Sequence, residues 1–180
     1  MNASFLEKTF HDVFFSAYST VLKGGFDEPF YLAKDPQGIS QIQYRYDYPS
    51  SALHEVSHWC VAGYERRKQD DFGYWYAEDG RSLEQQKEFE RFEVQPQAYE
   101  CIFHWACAMS FEVSVDNLAL PDYDAKPFRN AVLDKVRTLI DSNIPERVLT
   151  YAEALYTNHY QAPAASLLHH LRECHENYCR

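Results

Sequence analysis

The sequence predicts a single α+β domain covering residues 1–180, in which a small mixed sheet packs with several helices. A chain of 180 residues suits one compact domain. Short segments with alternating apolar residues, typical of strands, lie mainly in the first half of the chain, and longer segments with apolar residues three and four apart, typical of helices, dominate the second half. Because strands come first and helices later, we expect an α+β organisation.

The bulk composition excludes several classes of protein. Hydrophobic residues make up 46% of the chain and aromatic residues 16%, which is too apolar for a disordered protein. The formal net charge of −10 would repel phosphate backbones, so we expect no direct nucleic-acid partner. No apolar run approaches the ~18 residues that a membrane helix needs, so we expect no membrane partner either.

The cysteine count and the first residues bear on the cellular compartment. The chain has five cysteines, an odd number that favours reduced thiols over a disulfide framework. The opening segment, MNASFLEKTFHD, contains acidic side chains and lacks the apolar stretch of a secretory signal. We therefore expect a cytoplasmic protein.

The first element is predicted to be a helix. Apolar side chains recur at helical spacing over residues 6–21. Ser4 and Glu7 fit a capping box at its start, and the Gly-Gly pair at 24–25 would end it.

Two strands and a second helix follow. Residues 30–33 and 42–48 are predicted strands separated by the turn signal Asp35-Pro36-Gln37-Gly38, so we expect a hairpin. In the second strand, Ile42 and three tyrosines at two-residue spacing fall on one face. After a proline, residues 52–62 are predicted to form a helix of about three turns.

The later elements are mostly helical. Alternating aromatic residues predict a strand at 72–76, and a similar alternation predicts another at 111–115. Ser82 and Gln85 form a capping box that opens a polar helix, and Pro96 is expected to begin a separate one. Further helices are predicted at 126–142, 146–160 and 164–177.

The segment His54-Glu55-Val56-Ser57-His58 lies within the predicted helix 52–62. Residues four apart share one face of a helix, so the two imidazoles can reach one cation. Glu55 lies on a neighbouring face, close to the open side of such a cation, where it would handle protons as the catalytic residue. The segment therefore predicts a metal site on a central helix.

A third metal ligand has to come from elsewhere in the chain. The stretch RFEVQPQAYE offers Glu93 as the first choice and Glu100 as the second, since they flank Pro96 at a predicted helix start. His104 is a further candidate, although its apolar neighbours indicate a histidine that faces the core. Two histidines and one carboxylate form a facial triad.

The donor set leaves two chemistries open. Non-haem Fe(II) with dioxygen suits a centre of this kind, and so does zinc with an activated water. The second possibility corresponds to a zinc-dependent metallopeptidase or other metallohydrolase with Glu55 as general base. Ligand identity does not separate the two.

The C-terminal segment HHLRECHENYC is also rich in potential ligands. His170 and Cys174 are four residues apart, which is compatible with metal binding on a helix. Terminal residues are commonly mobile, so we expect no second metal site here.

Several segments together resemble the elongation factor P hydroxylase family. DFGYWY followed by DGR is far more specific than the histidine motif. The similar segments are EPFYLA at 28–33, SALHEVSHWCVAG at 51–63, DFGYWYAEDGR at 71–81, FEVQPQA at 92–98, VSVDNL at 113–118 and IPER at 144–147.

The resemblance implies an enzyme, its substrate and its cofactor. The family is bacterial and hydroxylates a lysine of elongation factor P that already carries a β-lysyl group. Its 2-His-1-carboxylate centre implies that His54, His58 and Glu93 are the metal ligands here. The implied cofactor is a divalent metal, most simply Fe(II) acting with dioxygen, and zinc remains the alternative.

The implied substrate and metal suggest further site residues. A β-lysylated lysine ends in ammonium groups, so its pocket would offer carboxylates and aromatic faces. We expect Arg81 and Arg147 either to bind carboxylates of the partner or to support the site from behind. The candidate substrate-binding residues are Asp71, Tyr74, Trp75, Tyr76 and Arg81. The candidates for orienting the metal ligands are Gln97, Asp116 and Asn117.

Overall fold

A computed structural model describes residues 1–73, 80–115, 117 and 123–179. In these ranges six α-helices accompany one three-stranded mixed sheet, which confirms the α+β prediction. In chain order the elements are α1 (Ala3–Tyr18), β1 (Thr20–Phe26), β2 (Phe30–Leu32), β3 (Ser40–Arg45), α2 (Pro49–Val61), α3 (Leu83–Ala106), α4 (Lys126–Asp141), α5 (Glu146–Tyr160) and α6 (Leu167–Tyr178).

The sheet has the strand order β1-β3-β2. Strand β2 pairs antiparallel with β3, which confirms the predicted hairpin, and β1 pairs parallel with β3. Ile42 and Tyr44, two of the four residues predicted to share one face, are buried on β3. The other two tyrosines of the predicted strand are exposed, because β3 ends at Arg45 and Tyr46 adopts a left-handed backbone conformation with φ 47°.

Helix α1 ends earlier than predicted, and the chain enters β1 after a left-handed Ser19. The Gly-Gly pair at 24–25 lies inside β1 rather than ending a helix. At Gly24 a side chain is excluded, since a Cβ would lie 2.5 Å from the Tyr46 carbonyl oxygen and 2.6 Å from the Tyr44 ring. Glycine is therefore required by the close approach of two backbone segments in the sheet.

The start of α1 also differs from the prediction. Asn2 is the N-cap and accepts the Phe5 N–H, so the proposed Ser4–Glu7 capping box is wrong. Glu7 instead accepts from Gly24 N–H at 3.0 Å and from the Tyr44 hydroxyl at 2.9 Å. This carboxylate ties the helix to the sheet.

Helix α3 is continuous across Pro96, so the prediction of two separate helices is wrong. The Ser82–Gln85 capping box at its start is confirmed. Proline removes the N–H that would bond to the carbonyl of Phe92 four residues earlier. Pro96 is buried and Phe92 is 72% exposed, and the helix continues with this single backbone bond missing.

The predicted strand at 111–115 does not form, and most of the predicted strand at 72–76 lies outside the described residues. Residues 111–115 are irregular, because glutamine side chains of α3 bond to the backbone there and replace a partner strand. Asp70–Gly73 forms a short 3₁₀ turn, and residues 74–76 lie outside the described part of the chain.

The three C-terminal helices confirm their predictions within a few residues. Helix α5 packs on α1 and α3, and Tyr151 of α5 contacts the rings of Phe10, Phe14 and Phe103. Trp59 of α2 joins this aromatic core edge-on to Phe10. Of the helices that the structure describes, none combines the length and apolar character that crossing a bilayer requires.

Candidate metal centre

Two facing helices, α2 and α3, present polar side chains to each other in an otherwise apolar interior. His54 and His58 lie one turn apart on α2. The facing side of α3 carries four polar residues at steps of four, three and four, which keeps them on one face of the helix. They are Glu93, Gln97, Glu100 and His104.

The side chains of His54, His58 and Glu93 converge on one point. The Nε2 atoms of His54 and His58 are 3.1 Å apart, and Nε2 of His58 lies 3.5 Å from Oε1 of Glu93. One potential ligand atom from each residue lies within 4.8 Å of the other two. The structure therefore brings together the three residues that the sequence analysis favoured as ligands.

Glu100, the second choice for the third ligand, lies behind His54. Its Oε2 is 2.9 Å from Nδ1 of His54, the nitrogen that faces away from His58. His104, the further candidate, is one turn along α3 and binds the carbonyl oxygen of Ser110 through Nδ1 at 2.6 Å. These two residues form a layer outside the cluster of His54, His58 and Glu93.

The two histidines differ in protonation. Burial tends to lower the pKa of His54, but the Glu100 carboxylate outweighs it and raises that pKa to about 10. Burial and the nearby charge of His54 lower the pKa of His58 to about 3. A protonated His54 can therefore donate its Nε2 hydrogen to the lone pair of neutral His58.

A divalent cation fits these donors. Two imidazole nitrogens and one carboxylate oxygen are ligand types that iron and zinc both accept. His58 is already neutral, and the cation would take the place of the proton between the two rings. The side chains of His58 and Glu93 are only 10% and 6% exposed, which limits competition from water.

Gln97 holds Glu93 in place. Its Nε2 donates to Oε2 of Glu93 at 3.2 Å and to the carbonyl of Ser114 at 2.8 Å, and its Oε1 accepts the Ser114 N–H at 3.0 Å. The oxygen of Glu93 that faces His58 is the other one, Oε1. Gln97 thus contacts a candidate ligand, in the position expected of an orienting residue.

Two cavities flank the cluster, and both are bordered by Glu28, Pro29, His54, Glu55, Phe89 and Glu93. The first, here the aromatic cavity, has a volume of about 260 Å³. Its remaining walls are Phe30, Tyr31, His58, Asp71, Phe72 and Arg81. The second, here the polar cavity, has a volume of about 330 Å³. Its remaining walls are Arg45, Ser50, Ser51, Gln97, Glu100 and Ser114.

Glu55 faces both cavities. Burial raises its pKa to about 7; His54 opposes this shift, and the carboxylates of Glu93 and Glu100 add to it. A carboxyl group that titrates near neutrality can both take up and release a proton, which suits general acid–base chemistry.

Asp71 occupies one wall of the aromatic cavity in a left-handed backbone conformation with φ 48°. Its Oδ1 accepts the Tyr31 N–H at 2.9 Å, and burial is the main reason that its pKa is raised. Tyr31 stacks on Phe72 with ring centroids 4.2 Å apart. The predicted substrate residue Asp71 therefore lies beside a flat aromatic surface.

Arg81 is buried in the wall of the same cavity. It donates to Oε1 of Gln86 at 3.1 Å and lies over the Phe89 ring at 3.9 Å. The described hydrogen bonds of Asn117 run to the Arg81 carbonyl and to Gln86, so Asn117 supports this wall. Four other predicted site residues lie outside the described part of the chain: Tyr74, Trp75, Tyr76 and Asp116.

Arg147 supports the site from behind, one of the two roles that the sequence left open. Its guanidinium donates to the carbonyl oxygens of Trp59, Cys60 and Ala62 at 3.0, 3.0 and 2.8 Å. These carbonyls lie at the C-terminal end of α2, where helix geometry leaves them without intrahelical donors and where a cation is also favourable. The guanidinium of Arg67 also donates to the carbonyl oxygen of Ala62. The helix that carries His54 and His58 is therefore fixed at its end by two arginines.

The fold and the site together define an α+β protein with a half-buried two-histidine, one-carboxylate cluster that opens onto two cavities. The family model described as Elongation factor P hydroxylase matches residues 9–170, and the chain belongs to this family. A protein of Haemophilus influenzae named Elongation factor P lysine hydroxylase is 45% identical over 147 residues. That match covers 81% of this chain and 83% of the relative. The resemblance found in the sequence is confirmed.

Proposed function

We propose that residues 1–180 form one metal-dependent hydroxylase domain that acts on the β-lysyl-modified lysine of elongation factor P. The observation that carries the proposal is the convergence of His54, His58 and Glu93 in a member of the Elongation factor P hydroxylase family. The name of the Haemophilus influenzae relative supports a lysine as the target. A translation factor as substrate would place the enzyme in the cytoplasm.

His54, His58 and Glu93 would hold the metal, and Fe(II) is the ion that we propose. Iron held by these three residues would supply, together with dioxygen, the oxidising chemistry of the reaction. Zinc accepts the same donors but has no redox chemistry, so it would not support hydroxylation. The protein contributes a pre-assembled donor set in which Glu93 is held by Gln97.

The aromatic cavity suits the modified lysine. Glu28, Glu55 and Asp71 supply carboxylates for the ammonium groups of the substrate, and none of them forms an ion pair with a basic side chain in the described residues. The stacked rings of Tyr31 and Phe72 supply an apolar wall for the methylene groups and a π face for an ammonium. We retain Tyr74, Trp75 and Tyr76 as further candidates from the sequence.

Glu55 is the proposed proton-handling residue. It lies directly after His54 and borders both cavities. With a pKa of about 7, it can exchange a proton with a substrate amine or with solvent next to the reacting side chain. Arg81 shapes the opposite wall through its contact with Phe89.

A zinc metallohydrolase is the second candidate, because a glutamate with a pKa of about 7 beside two histidines also suits a general base. Metal analysis separates the two functions. Protein purified without oxygen should contain iron if it is a hydroxylase, and zinc if it is a hydrolase. Protein purified in air does not separate them, because nitrogen and oxygen donors generally bind zinc more tightly than Fe(II).

The decisive assay is mass spectrometry of β-lysylated elongation factor P after incubation with Fe(II)-loaded enzyme and air. We expect the modified peptide to gain one oxygen atom. Unmodified elongation factor P and the His58→Ala enzyme are the matched controls, and neither should give this product. If the wild-type enzyme leaves the β-lysylated substrate unchanged under these conditions, the proposed function is wrong.

A further inference from the structure

We propose that Glu100 and His104 are positioning residues that fix the orientation and the tautomer of His54. The inference deepens the proposed function and rests on it in one respect, namely that His54 is a metal ligand. The contacts themselves involve no metal, so they can be tested separately.

The contacts form a continuous chain from the cluster into the core. Oε2 of Glu100 is 2.9 Å from Nδ1 of His54, and the other carboxylate oxygen is 3.5 Å from Nε2 of His104. Nδ1 of His104 is 2.6 Å from the carbonyl oxygen of Ser110. Glu100 and His104 are 6% and 3% exposed, so water hardly competes for these contacts.

The chemistry of Glu100 determines which nitrogen of His54 is free. An ionised carboxylate only accepts hydrogen bonds, so Nδ1 of His54 has to carry a hydrogen. Nε2 is then the nitrogen available as a ligand, and it is the one that faces His58. Rotation of the ring would break the Nδ1–H bond to a buried carboxylate, which is unfavourable. Glu100 thus selects both the ligand atom and its direction.

His104 acts on Glu100 rather than on His54. The carbonyl oxygen of Ser110 only accepts, so Nδ1 of His104 donates and the ring direction is set by the backbone. Nε2 of His104 is buried and has no hydrogen-bond partner among the described residues, and it faces Oε1 of Glu100 at 3.5 Å. The ring therefore packs directly beside the carboxylate that contacts His54.

Metal titration tests the role of both residues. With Co²⁺ as the probe, Glu100→Gln should raise Kd about 10- to 100-fold, the range seen when residues behind metal-bound histidines are changed. His104→Gln should raise Kd by less, about 3- to 10-fold. If His104 acts through Glu100, the double variant should bind Co²⁺ no more weakly than Glu100→Gln alone.

Glu90→Gln is the matched control. Glu90 is another buried carboxylate of α3, but it bonds to Gln86 and Tyr123. We expect this variant to lose stability without a change in Kd for Co²⁺. If Glu90→Gln weakens binding as much as Glu100→Gln, the effect is general to the helix and the proposal is overturned.

Nuclear magnetic resonance of the metal-free protein supplies a readout that needs no activity. The hydrogen-bonded Nδ1–H of His54 should give a slowly exchanging downfield signal, and Glu100→Ala or Glu100→Gln should weaken or remove it. If Glu100→Gln retains both the signal and wild-type Co²⁺ affinity, the positioning role is refuted. If the wild-type protein binds no divalent metal, the proposed function fails, while the signal still decides whether Glu100 orients His54.

Discussion

Helices α2 and α6 both carry a histidine with a second potential metal ligand four residues later, yet the ring nitrogens have different partners. On α2, Nε2 of His54 faces Nε2 of His58 at 3.1 Å, and Glu93 is close by. On α6, Nε2 of His170 is 3.0 Å from the carbonyl oxygen of Trp105. A carbonyl oxygen only accepts, so this nitrogen donates and has no lone pair for a cation.

The opposing surfaces explain the difference. Helix α3 presents carboxylates to α2, one beside the ligand nitrogens and one behind His54. Helix α6 meets backbone carbonyls, since Nε2 of His175 likewise lies 3.2 Å from the Leu133 carbonyl oxygen. The comparison teaches that ligand spacing on one helix is a weak signal. The groups on the facing element decide whether lone pairs remain for a metal.

Removal of an α2 histidine should have the largest effect. We expect His58→Ala to lower metal affinity by more than about 100-fold, beyond what is typical for a residue behind a ligand, and to abolish hydroxylation. The circular dichroism spectrum should stay that of a folded protein, because the side chain lies at a cavity wall. Unchanged hydroxylation by this variant would show that His58 is no ligand.

Gln97→Leu should have an intermediate effect on the centre. The variant leaves the Ser114 N–H without a partner and frees Glu93, so we expect a loss of about 1–3 kcal/mol in unfolding free energy. Metal affinity should fall about 10-fold. Gln86→Leu removes a similar bond to the Val115 carbonyl without touching Glu93. Gln86→Leu should therefore lower the free energy of unfolding without weakening metal binding. If both variants lose metal affinity equally, the role assigned to Gln97 is contradicted.

Glu55→Gln should change how the stability of the metal-free protein depends on pH. The pKa of Glu55 is about 7 in the folded protein and about 4.5 when unfolded. The unfolded chain therefore loses this proton first, and stability falls as pH rises from 4.5 to 7. Glu55→Gln has no such proton to lose. The difference in unfolding free energy between this variant and the wild type should therefore shift in favour of the variant by about 1–3 kcal/mol over that range. Urea unfolding of both proteins with EDTA at pH 4.5 and 7.5 measures this difference. If the difference is the same at both pH values, the raised pKa of Glu55 is contradicted.

Changes on α6 should have the smallest effect on metal binding. His170→Ala removes the bond to Trp105, which should cost about 1 kcal/mol of stability. The number of Co²⁺ ions bound per chain should not change, even when Cys174→Ser is added. A lower stoichiometry in the double variant would show that α6 does contribute a metal site.

The sequence predicted the cluster of His54, His58 and Glu93 better than it predicted the helix that carries Glu93. His54 and His58 follow from spacing, because four residues make one turn whatever the surroundings. Glu93 was favoured and Glu100 stayed open as the second choice, because both flank Pro96 at what was predicted to be a helix start. In one continuous helix the series from Glu93 to His104 shares a face, and this pattern would have shown Glu100 behind the cluster.

Other misses have a common physical origin in tertiary contacts. Residues 111–115 alternate like a strand, but their backbone partners are side chains of α3, which a local pattern does not reveal. The role of Arg147 depends on carbonyls more than eighty residues earlier in the chain. Pairings at that distance leave no trace in periodicity.

Arg147 also has a consequence for attempts to shorten the protein. The segments that carry His54, His58 and Glu93 end before residue 107, which invites a minimal fragment without the C-terminal helices. Such a fragment would remove the Arg147 donor from the carbonyls of Trp59 and Cys60 and expose the face of the Trp59 ring that Arg147 covers. We expect it to lose its metal-binding geometry although every ligand is present. We therefore expect the smallest fragment that keeps the arrangement of His54, His58 and Glu93 to extend into α5.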